Sequence, residues 1–333
     1  MLNGAIVGFG NVARHGHWPA YARSTSFRIV ALVDPHLNTA DHNRGLPVYA
    51  SIADAAVHER LHFVDICTPP ASHGASILEA LGLGLHALVE KPLVLTPDEF
   101  EAVARAAAAR SRTVFPVHNW RYAPALREAA AAVSRGAIGA VRSAEIEVWR
   151  TTACASAGAP VWRQNRAIAG GGIVLDHGWH ALYLMLEWFG HRPHSVDAWC
   201  HAEPPIEVET DAEITLGFAG GVGVIRLTWR GARRRNRVRL DGDLGSIEID
   251  DSVYLIQRGP RQDLTMVSSL SEGSYHPEWF PPVLTEFERA LDDRHAAARF
   301  LDEAGACVHI ADRVYRAAMR ATTARQAQPA RSG

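Results

Sequence analysis

This sequence of 333 residues has a single lysine, no closely spaced pair of cysteines and almost no net charge. Its 34 basic and 36 acidic residues give a net charge of −2, and all of the basic residues except Lys91 are arginines. Because a general nucleic-acid binder needs a basic excess, this near-neutral balance excludes that class. The cysteines lie far apart without a C-x-x-C pair, which argues against a zinc site or disulfide framework and is typical of a reducing compartment. They are Cys67, Cys154, Cys200 and Cys307.

Long apolar runs are absent as well, since none approaches the ~20 residues that a membrane-spanning helix requires. The first residues, MLNGAIVGFG, lack the basic segment and the cleavage site of a signal peptide. A hydrophobic fraction of 47% with 21% charged residues is that of an ordinary globular protein. Since single cores stop growing near ~250–300 residues, we expect two domains. We further expect a cytoplasmic protein that binds neither nucleic acid nor membrane and holds no metal.

Strands and helices alternate over the first 118 residues. The pattern predicts strands over 2–7, 27–33, 62–67, 86–89 and 113–117, with helices over 12–22, 72–81 and 96–110. Thr96, Pro97 and Glu99 form the capping-box pattern that begins the last of these helices. Such alternation indicates parallel strands joined by right-handed crossovers, so we expect an α/β fold with a doubly wound parallel sheet.

After His118 the pattern changes to long strands separated by tight turns. Strands are predicted over 141–150, 195–201, 212–218, 222–229, 236–240, 245–249 and 253–257, and helices over 125–134, 172–189, 283–291 and 302–320. Turns such as 219–221 and 241–243 are typical of antiparallel hairpins. We therefore place a domain border near residue 120.

A G-x-G-x-x-A segment lies between the first strand and the first helix. Its residues are Gly8, Phe9, Gly10, Asn11, Val12 and Ala13. In a dinucleotide site the first glycine allows the tight turn, the second lets the backbone approach a pyrophosphate, and the small third residue lets helix and strand pack closely. The helix N-terminus then supplies amides to the phosphates. The alternative is a plain strand-to-helix turn.

Asp34 ends the second strand, where a carboxylate can accept hydrogen bonds from both adenosine ribose hydroxyls. It would repel a 2′-phosphate, and no arginine follows immediately, so we favour NAD(H) over NADP(H). A turn-forming aspartate before Pro35 is compatible with either reading. The loop Cys67, Thr68, Pro69 at the carboxyl end of the strand 62–67 could line the nicotinamide side. His73, just beyond it, is a cofactor contact or only the start of a helix.

Glu90, Lys91 and Pro92 follow the strand 86–89 at the same sheet edge. A lysine there faces the expected cofactor crevice, although a solvated surface lysine is the usual interpretation of such a residue. Its being the only lysine of an arginine-rich chain favours function, because arginine does not replace lysine freely.

Asp176 and His180 lie four residues apart on the helix that follows Gly170-Gly171-Gly172. Residues at that spacing share a helical face, and a carboxylate can fix the tautomer of an imidazole that exchanges a proton with substrate. The glycine run lets a ligand or backbone approach closely. His177 is the alternative acid or base.

These motifs together resemble the GFO/IDH/MocA oxidoreductases, named for glucose–fructose oxidoreductase and inositol dehydrogenase. The anchors are GFGNVA, ALVDP, CTPP, the EKP that contains Lys91, HNWRY at 118–122, and the GGG…DHGWH stretch. The resemblance implies a Rossmann domain over 1–120 and a C-terminal α/β domain over 121–300 with a large open, mostly antiparallel sheet. The second domain would bind substrate and form a homodimer or homotetramer through that sheet. In this arrangement the helix at about 302–322 can pack back on the first domain.

The resemblance also implies an activity, the NAD(P)-dependent interconversion of a secondary alcohol and a ketone on a sugar, sugar derivative or cyclitol. His180 would exchange the hydroxyl proton, Lys91 would stabilise the alkoxide, and Asp176 would orient His180. Pocket residues, with weaker support, are Arg121, Tyr122, Arg150, Trp162, Arg163 and His177. Two alternatives stay open: a reductase of an imine or other small carbonyl, and a non-catalytic regulator that senses the dinucleotide.

Arginines are crowded between residues 230 and 239. Arg235, Arg237 and Arg239 alternate, so they lie on one face of a strand. One interpretation is a site for an acidic ligand. We favour the other, an interface or solvated face balanced by nearby acids. Those acids are Glu203, Glu207, Glu209 and Asp211.

Overall fold

The computed structural model describes residues 1–36, 45–151 and 161–327, so Cys154 lies outside the described residues. The chain divides into two units. The first unit comprises Met1–Tyr122 and Gly273–Val308, and the second unit comprises Ala123–Glu272 together with the chain from His309.

The first unit is built on a six-stranded parallel sheet in the order β3-β2-β1-β4-β5-β6. Its strands are β1 (Leu2–Val7), β2 (Phe27–Val33), β3 (Val48–Tyr49), β4 (Phe63–Ile66), β5 (His86–Val89) and β6 (Val114–Pro116). This order confirms the predicted doubly wound sheet. The two-residue strand β3 was not predicted, because two residues carry no periodicity.

Helices connect these strands. They are the π-helical segment Ala13–His17 followed by Trp18–Tyr21, then Ile52–His58, His73–Gly82 and Pro97–Arg110, with a 3₁₀ turn at Pro70–Ser72 and another at Asn119–Tyr122. The capping box of Pro97–Arg110 is confirmed: the Glu99 amide donates to Thr96 Oγ1, and the Thr96 amide donates to Glu99 Oε2.

The segment from 273 to 300, which the sequence places in the second domain, lies in the first unit. Its helix Phe280–Asp292 inserts Phe287 between the rings of Phe27, Phe63 and Phe115, with centroids 5.2–5.7 Å apart across this cluster. Burial of such aromatic surface outweighs proximity in sequence, so the predicted border at 300 needs correction. The final helix, Arg294–Ala327, belongs to the first unit up to Val308 and to the second unit beyond it.

The second unit carries an eight-stranded sheet in the order β14-β13-β12-β11-β7-β10-β9-β8. All neighbouring strands are antiparallel except β7 and β10, which run parallel. The strands are β7 (Val141–Trp149), β8 (Ser195–His201), β9 (Asp211–Phe218), β10 (Gly221–Thr228), β11 (Arg235–Gly242), β12 (Gly245–Asp250), β13 (Val253–Arg258) and β14 (Arg261–Met266). The mostly antiparallel sheet confirms the expected α/β fold. β14 was not predicted, since it has no buried face and most of its residues are exposed.

One face of this sheet is apolar and the other is charged. On β11, Asn236, Val238 and Leu240 are buried, and the three arginines between and beside them lie on the opposite face. The helix Trp179–Phe189 is almost wholly buried, and Gly223 of β10 leaves room for its Met185. The remaining helical segments of the second unit are Pro124–Ser134, Val161–Gln164, Arg166–Ala169 and the π-helical Val174–Gly178, and the 3₁₀ turn Pro277–Trp279 lies in the first unit. None of the helices in the described ranges is long and apolar enough to span a membrane.

Candidate functional site

The G-x-G loop of the first unit has the geometry of a dinucleotide cradle. Gly8 has φ of +82°, and a Cβ there would lie 2.9 Å from the backbone nitrogen of Thr68, so another residue would be strained and would clash. Gly10, by contrast, is exposed and has open space where a Cβ would stand. Ala13 is fully buried against the sheet. The turn and the close packing therefore require small residues, and the second glycine leaves its backbone accessible.

Asp34 lies directly behind this loop. Its Oδ2 accepts a hydrogen bond from the Phe9 amide at 3.0 Å, and its Oδ1 accepts one from the His36 amide at 3.0 Å. The second contact shows the turn-forming role that the sequence left open. A carboxylate offers about four acceptor sites, so these two donors leave room for hydroxyl donors as well.

The loop after β4 turns its cysteine inward. Cys67 Sγ lies 3.3 Å from His17 Nδ1 and donates to Asp65 Oδ1 at 3.5 Å. Burial, reinforced by Asp65, raises the pKa of the Cys67 thiol, so it stays neutral. Thr68 and Pro69 are half-buried, so the loop offers these two side chains to a ligand more readily than the cysteine.

His73 is fully buried between two loops. Its Nε2 lies 2.8 Å from the Thr68 carbonyl oxygen, and its Nδ1 lies 2.8 Å from the Pro92 carbonyl oxygen. Burial lowers the pKa of His73 despite both carbonyl contacts. The structure thus favours the structural interpretation of His73, which ties the loop after β4 to the loop after β5.

Glu90 belongs to a buried polar cluster that the sequence reasoning did not find. His17 Nε2 donates to Glu90 Oε1 at 3.0 Å, and His17 Nδ1 donates to Asp65 Oδ2 at 2.8 Å. Tyr21 also donates to Asp65 Oδ2 at 3.0 Å, and the Lys91 amide donates to Glu90 Oε2 at 3.0 Å. The available signal was Asp65 within the apolar strand FVDI, because a fully buried carboxylate requires a partner.

The protonation states of this cluster follow from its contacts. Burial lowers the pKa of His17, but the charges and hydrogen bonds of Asp65 and Cys67 together more than offset it, so the pKa of His17 stands well above its ordinary value. Burial raises the pKa of Glu90, yet the hydrogen bond and charge of His17, together with Lys91, bring it below the ordinary value. Glu90 is therefore an anion beside the imidazolium of His17.

The glycine run of the second unit serves close packing. A Cβ on Gly172 would overlap the backbone carbonyl oxygen of Glu209, and one on Gly171 would overlap the hydroxyl oxygen of Tyr315. Glu209 Oε1 accepts from the amides of Gly172 and Val174, at 2.8 and 3.2 Å, and from the Tyr315 hydroxyl at 2.9 Å. The glycines thus allow the close approach of the Glu209 backbone and the Tyr315 side chain. These contacts anchor the segment that contains Asp176.

Asp176 and His177 lie in the π-helical segment Val174–Gly178. Asp176 Oδ2 is 3.2 Å from His177 Nδ1, and Asp176 Oδ1 is 3.9 Å from Arg163 Nε. On the other side of the ring, Arg150 Nε donates to His177 Nε2 at 3.0 Å. Since guanidinium has no acceptor, that ring nitrogen must accept, and the proton of a neutral His177 stands on Nδ1, facing Asp176.

Arg150 is almost fully buried, with 2% of its surface exposed. Besides its bond to His177, it donates to the Trp149 carbonyl oxygen at 2.8 Å and to Asn236 Oδ1 at 3.0 Å. The sequence predicts Arg150 as a pocket residue, whereas in the structure its guanidinium is hydrogen-bonded to other groups inside the second unit. Trp162 and Arg163 are half-buried and stacked, with the guanidinium 4.4 Å from the ring centroid.

His180 is 5% exposed and lies in the first turn of the α-helix Trp179–Phe189. Its Nδ1 lies 2.9 Å from the Tyr183 hydroxyl oxygen. Tyr183 was not predicted as a site residue, although it lies three residues further on the same helical face. The orientation of His180 by Asp176 stays a prediction.

Arg121 and Tyr122 lie in the first unit. Arg121 donates to both carboxylate oxygens of Glu303, at 3.0 and 2.9 Å, and Glu303 also accepts from His118 Nδ1 at 2.8 Å. Although burial opposes it, the charges of Arg121 and His118 lower the pKa of Glu303 to about 2. Tyr122 packs against the aromatic core. Arg121 is thus engaged in a bidentate ion pair.

The arginines near 235 are paired with acids. Arg237 meets Glu248 at 2.7 Å and Arg239 meets Asp241 at 2.7 Å, while Arg235 pairs with Asp250. Arg230 pairs with Asp211 and Glu203, at 2.7 and 2.9 Å. These pairs agree with the favoured interpretation of a charge-balanced face. Most of the balancing acids, however, lie on β11 and β12 and are not the ones that the sequence indicated.

Known proteins match the chain over both units. An oxidoreductase family with an NAD-binding Rossmann fold matches residues 2–118, and the GFO/IDH/MocA C-terminal domain matches residues 126–248. Levoglucosan dehydrogenase of Pseudarthrobacter phenanthrenivorans is 26% identical over 323 residues, covering 83% of this chain and 81% of that protein. D-apiose dehydrogenase of Paraburkholderia graminis is 29% identical over 259 residues, covering 74% and 67%.

Solved structures share the fold. The aldose–aldose oxidoreductase of Caulobacter crescentus, complexed with glycerol, superposes with a TM-score of 0.83 at 24% identity, covering 96% of this chain and 98% of that one. This likeness covers almost the whole of both chains, so the overall fold is shared. The chain belongs to the GFO/IDH/MocA oxidoreductase family, with an NAD-binding Rossmann fold in its N-terminal part.

Proposed function

We propose that this protein is an NAD(H)-dependent oxidoreductase that interconverts a secondary alcohol and a ketone on a sugar, sugar derivative or cyclitol. The observation that carries the proposal is the glycine cradle with Asp34 hydrogen-bonded to its Phe9 amide. Similarity to the dehydrogenases of levoglucosan and D-apiose supports a sugar-like substrate.

The residues of the first unit fit a dinucleotide. Gly8, Phe9, Gly10, Asn11 and Val12 would meet the pyrophosphate with backbone amides. Asp34 would accept the ribose hydroxyls, which favours NAD(H) over its 2′-phosphorylated counterpart. The edge residues Thr68, Pro69, Glu90 and Lys91 would line the nicotinamide side, with His73 and Cys67 holding their loop from within. When bound, the dinucleotide supplies or accepts a hydride.

The catalytic roles fall to Lys91, Asp176 and His180, and Asp176 orients His180. Because Tyr183 engages Nδ1 of His180, the exchangeable proton of His180 is placed at Nε2. This nitrogen removes the hydroxyl proton in the oxidative direction and returns it in the reductive one. The ammonium group of Lys91 stabilises the alkoxide that forms as the proton leaves.

Substrate contacts are assigned to residues that keep exposed surface. Trp162 and Arg163 offer an aromatic ring and a cation, and Tyr122 and His177 offer a hydroxyl and an imidazole. Arg121 and Arg150 contribute indirectly, because each is held by several internal hydrogen bonds. Stacked aromatic rings are well suited to the apolar face of a sugar ring.

The test is an absorbance screen of sugars and cyclitols with NAD⁺ and with NADP⁺. Turnover of at least one polyol is expected with NAD⁺, and Lys91→Arg should lower kcat by about 10²–10³-fold without a comparable change in NADH binding. Asp34→Ser should narrow the preference for NAD⁺ by about tenfold, as loss of a charged hydrogen-bond acceptor implies. Tight NADH binding without turnover of any substrate would favour a dinucleotide sensor instead.

We also propose that the charged face of the eight-stranded sheet joins subunits into a homodimer or homotetramer. Its support is the row of ion pairs from Arg226 with Glu145 through Arg237 with Glu248, which a second copy could extend. Light scattering at low and high salt is the measurement, and a monomer under both conditions would contradict the proposal.

A further inference from the structure

The buried histidine His17 is connected to the backbone of Lys91 through a single carboxylate, Glu90. One oxygen of Glu90 accepts from the imidazole and the other accepts from the Lys91 amide, both at 3.0 Å. We propose that His17, clamped between Asp65 and Glu90, is a positioning residue that holds Lys91 in its working place. The proposal rests on the function given above, in which Lys91 acts on the substrate.

Every contact of the cluster is consistent with an imidazolium between two carboxylates. Asp65 Oδ2 accepts from His17 and from the Tyr21 hydroxyl, and Cys67 donates its thiol proton to Asp65 Oδ1. Because both carboxylates act only as acceptors in these contacts, the protons between them belong to the imidazole. The groups that face His17 are therefore Asp65 and Cys67 from the end of β4 and Glu90 from the end of β5.

Packing holds the imidazolium in place. The ring of Phe280 stacks on His17 with centroids 3.9 Å apart, and His17 is 1% exposed. Without the imidazolium, the buried charge of Glu90 would lose its compensation, and the carboxyl group would take up a proton or turn away. Either change would weaken its hydrogen bond to the Lys91 amide, so that the lysine would leave its position.

The same side chains raise a second possibility, a metal site. The ligand atoms of His17, Asp65 and Cys67 lie within 4.8 Å of one another. A metal on Nδ1 would have to displace the proton that now forms a 2.8 Å bond to Asp65. A neutral thiol is also a poor ligand, because metals bind the thiolate. The hydrogen-bonded arrangement therefore favours positioning over metal binding.

The single lysine makes a direct test possible. Reductive methylation with ¹³C-formaldehyde labels only Lys91 and the N-terminus, so the NMR signal of Lys91 reports its surroundings without any substrate. His17→Gln removes the charge of the imidazolium. Glu90→Gln leaves a single acceptor oxygen, which cannot accept from both His17 and the Lys91 amide. The matched control is His86→Gln, at the opposite end of β5 from Glu90, where the imidazole accepts from the Thr113 amide.

The Lys91 signal should move in both test variants and stay in place in His86→Gln. With a substrate found by the screen, each test variant should lower kcat by about 100-fold, the effect of displacing a catalytic group by ~1 Å. Should His17→Gln fail to fold, Glu90→Gln carries the test.

Two results would overturn the proposal: an unmoved Lys91 signal in the test variants, or one equivalent of zinc or another metal in the purified protein. These results are separable from a failure of the proposed function. If no polyol is turned over by the wild-type protein, the sugar dehydrogenase assignment fails, while the NMR comparison still decides whether His17 positions Lys91.

Discussion

Each unit contains a histidine in a five-residue π-helical segment, and the two histidines have opposite electrostatic surroundings. In the segment Ala13–His17 of the first unit, His17 lies between the carboxylates of Asp65 and Glu90. In the segment Val174–Gly178 of the second unit, His177 accepts from the Arg150 guanidinium. The first imidazole donates to two carboxylates, and the second accepts from a guanidinium.

This difference shows that partners, not the local backbone, decide what an imidazole does. π-Helical turns are rare and occur often at functional sites, because the extra residue in the turn re-aims neighbouring side chains. Both segments lead into residues that we assign to the reaction or its support. What the imidazole then contributes depends on whether it faces an anion or a guanidinium.

The largest expected effect is on catalysis by His180 in the second unit. His180→Gln should lower kcat by about 10²–10⁴-fold, because a general acid or base contributes that much. His177→Gln should have a smaller effect, since Arg150 occupies one of its ring nitrogens. Steady-state kinetics of both variants is the measurement. If His177→Gln were the more damaging change, His177 would be the acid or base.

The next effect concerns the buried guanidinium of Arg150, which donates to His177. Arg150→Met should lower the free energy of unfolding by about 3 kcal/mol, because the buried acceptors of Trp149, Asn236 and His177 would lose their donor. Arg150→Lys should rescue little, since an ammonium cannot reproduce the fork of donors. Chemical denaturation of the three proteins measures this. Full stability of the Met variant would mean that these acceptors find other donors.

The pH dependence of stability should show the charge of His17. Because the pKa of His17 is raised in the fold, its stabilising contribution is complete below the unfolded value of ~6.5 and is lost as pH rises through the folded pKa. The stability gap between wild type and His17→Gln should therefore shrink towards alkaline pH. Chemical denaturation of both proteins at a series of pH values measures this gap. A gap that does not change with pH would contradict the assigned charge state.

The smallest effect is expected on the charged face of the sheet. Arg237→Ala removes a pair with Glu248 in which both side chains are about 30% exposed. Half-exposed pairs contribute little, so the free energy of unfolding should fall by about 0.5 kcal/mol, and less at high salt. A loss of several kcal/mol that depends on protein concentration would indicate that this face is buried between subunits.

Much of the fold was predictable because it depends on local pattern. The strands Phe27–Val33, His86–Val89 and Ser195–His201 have the bounds that the sequence indicated, and the capping box at Thr96 forms as expected. The misses are segments without a pattern of their own. β3 has two residues, and β14 is an edge strand that is held by its neighbour rather than by an apolar face.

By itself the sequence determined the two sheet types, the glycine cradle with Asp34, and the singular position of Lys91, since turns, alternation and residue counts are local properties. Only the tertiary structure decided that the segment 273–300 completes the first unit and that Arg150 supports His177. Only the tertiary structure brought His17 and Glu90, which are 73 residues apart in the chain, into hydrogen-bonding contact. The reason is physical: burial and charge compensation act between neighbours in space, and spacing along the chain does not encode them.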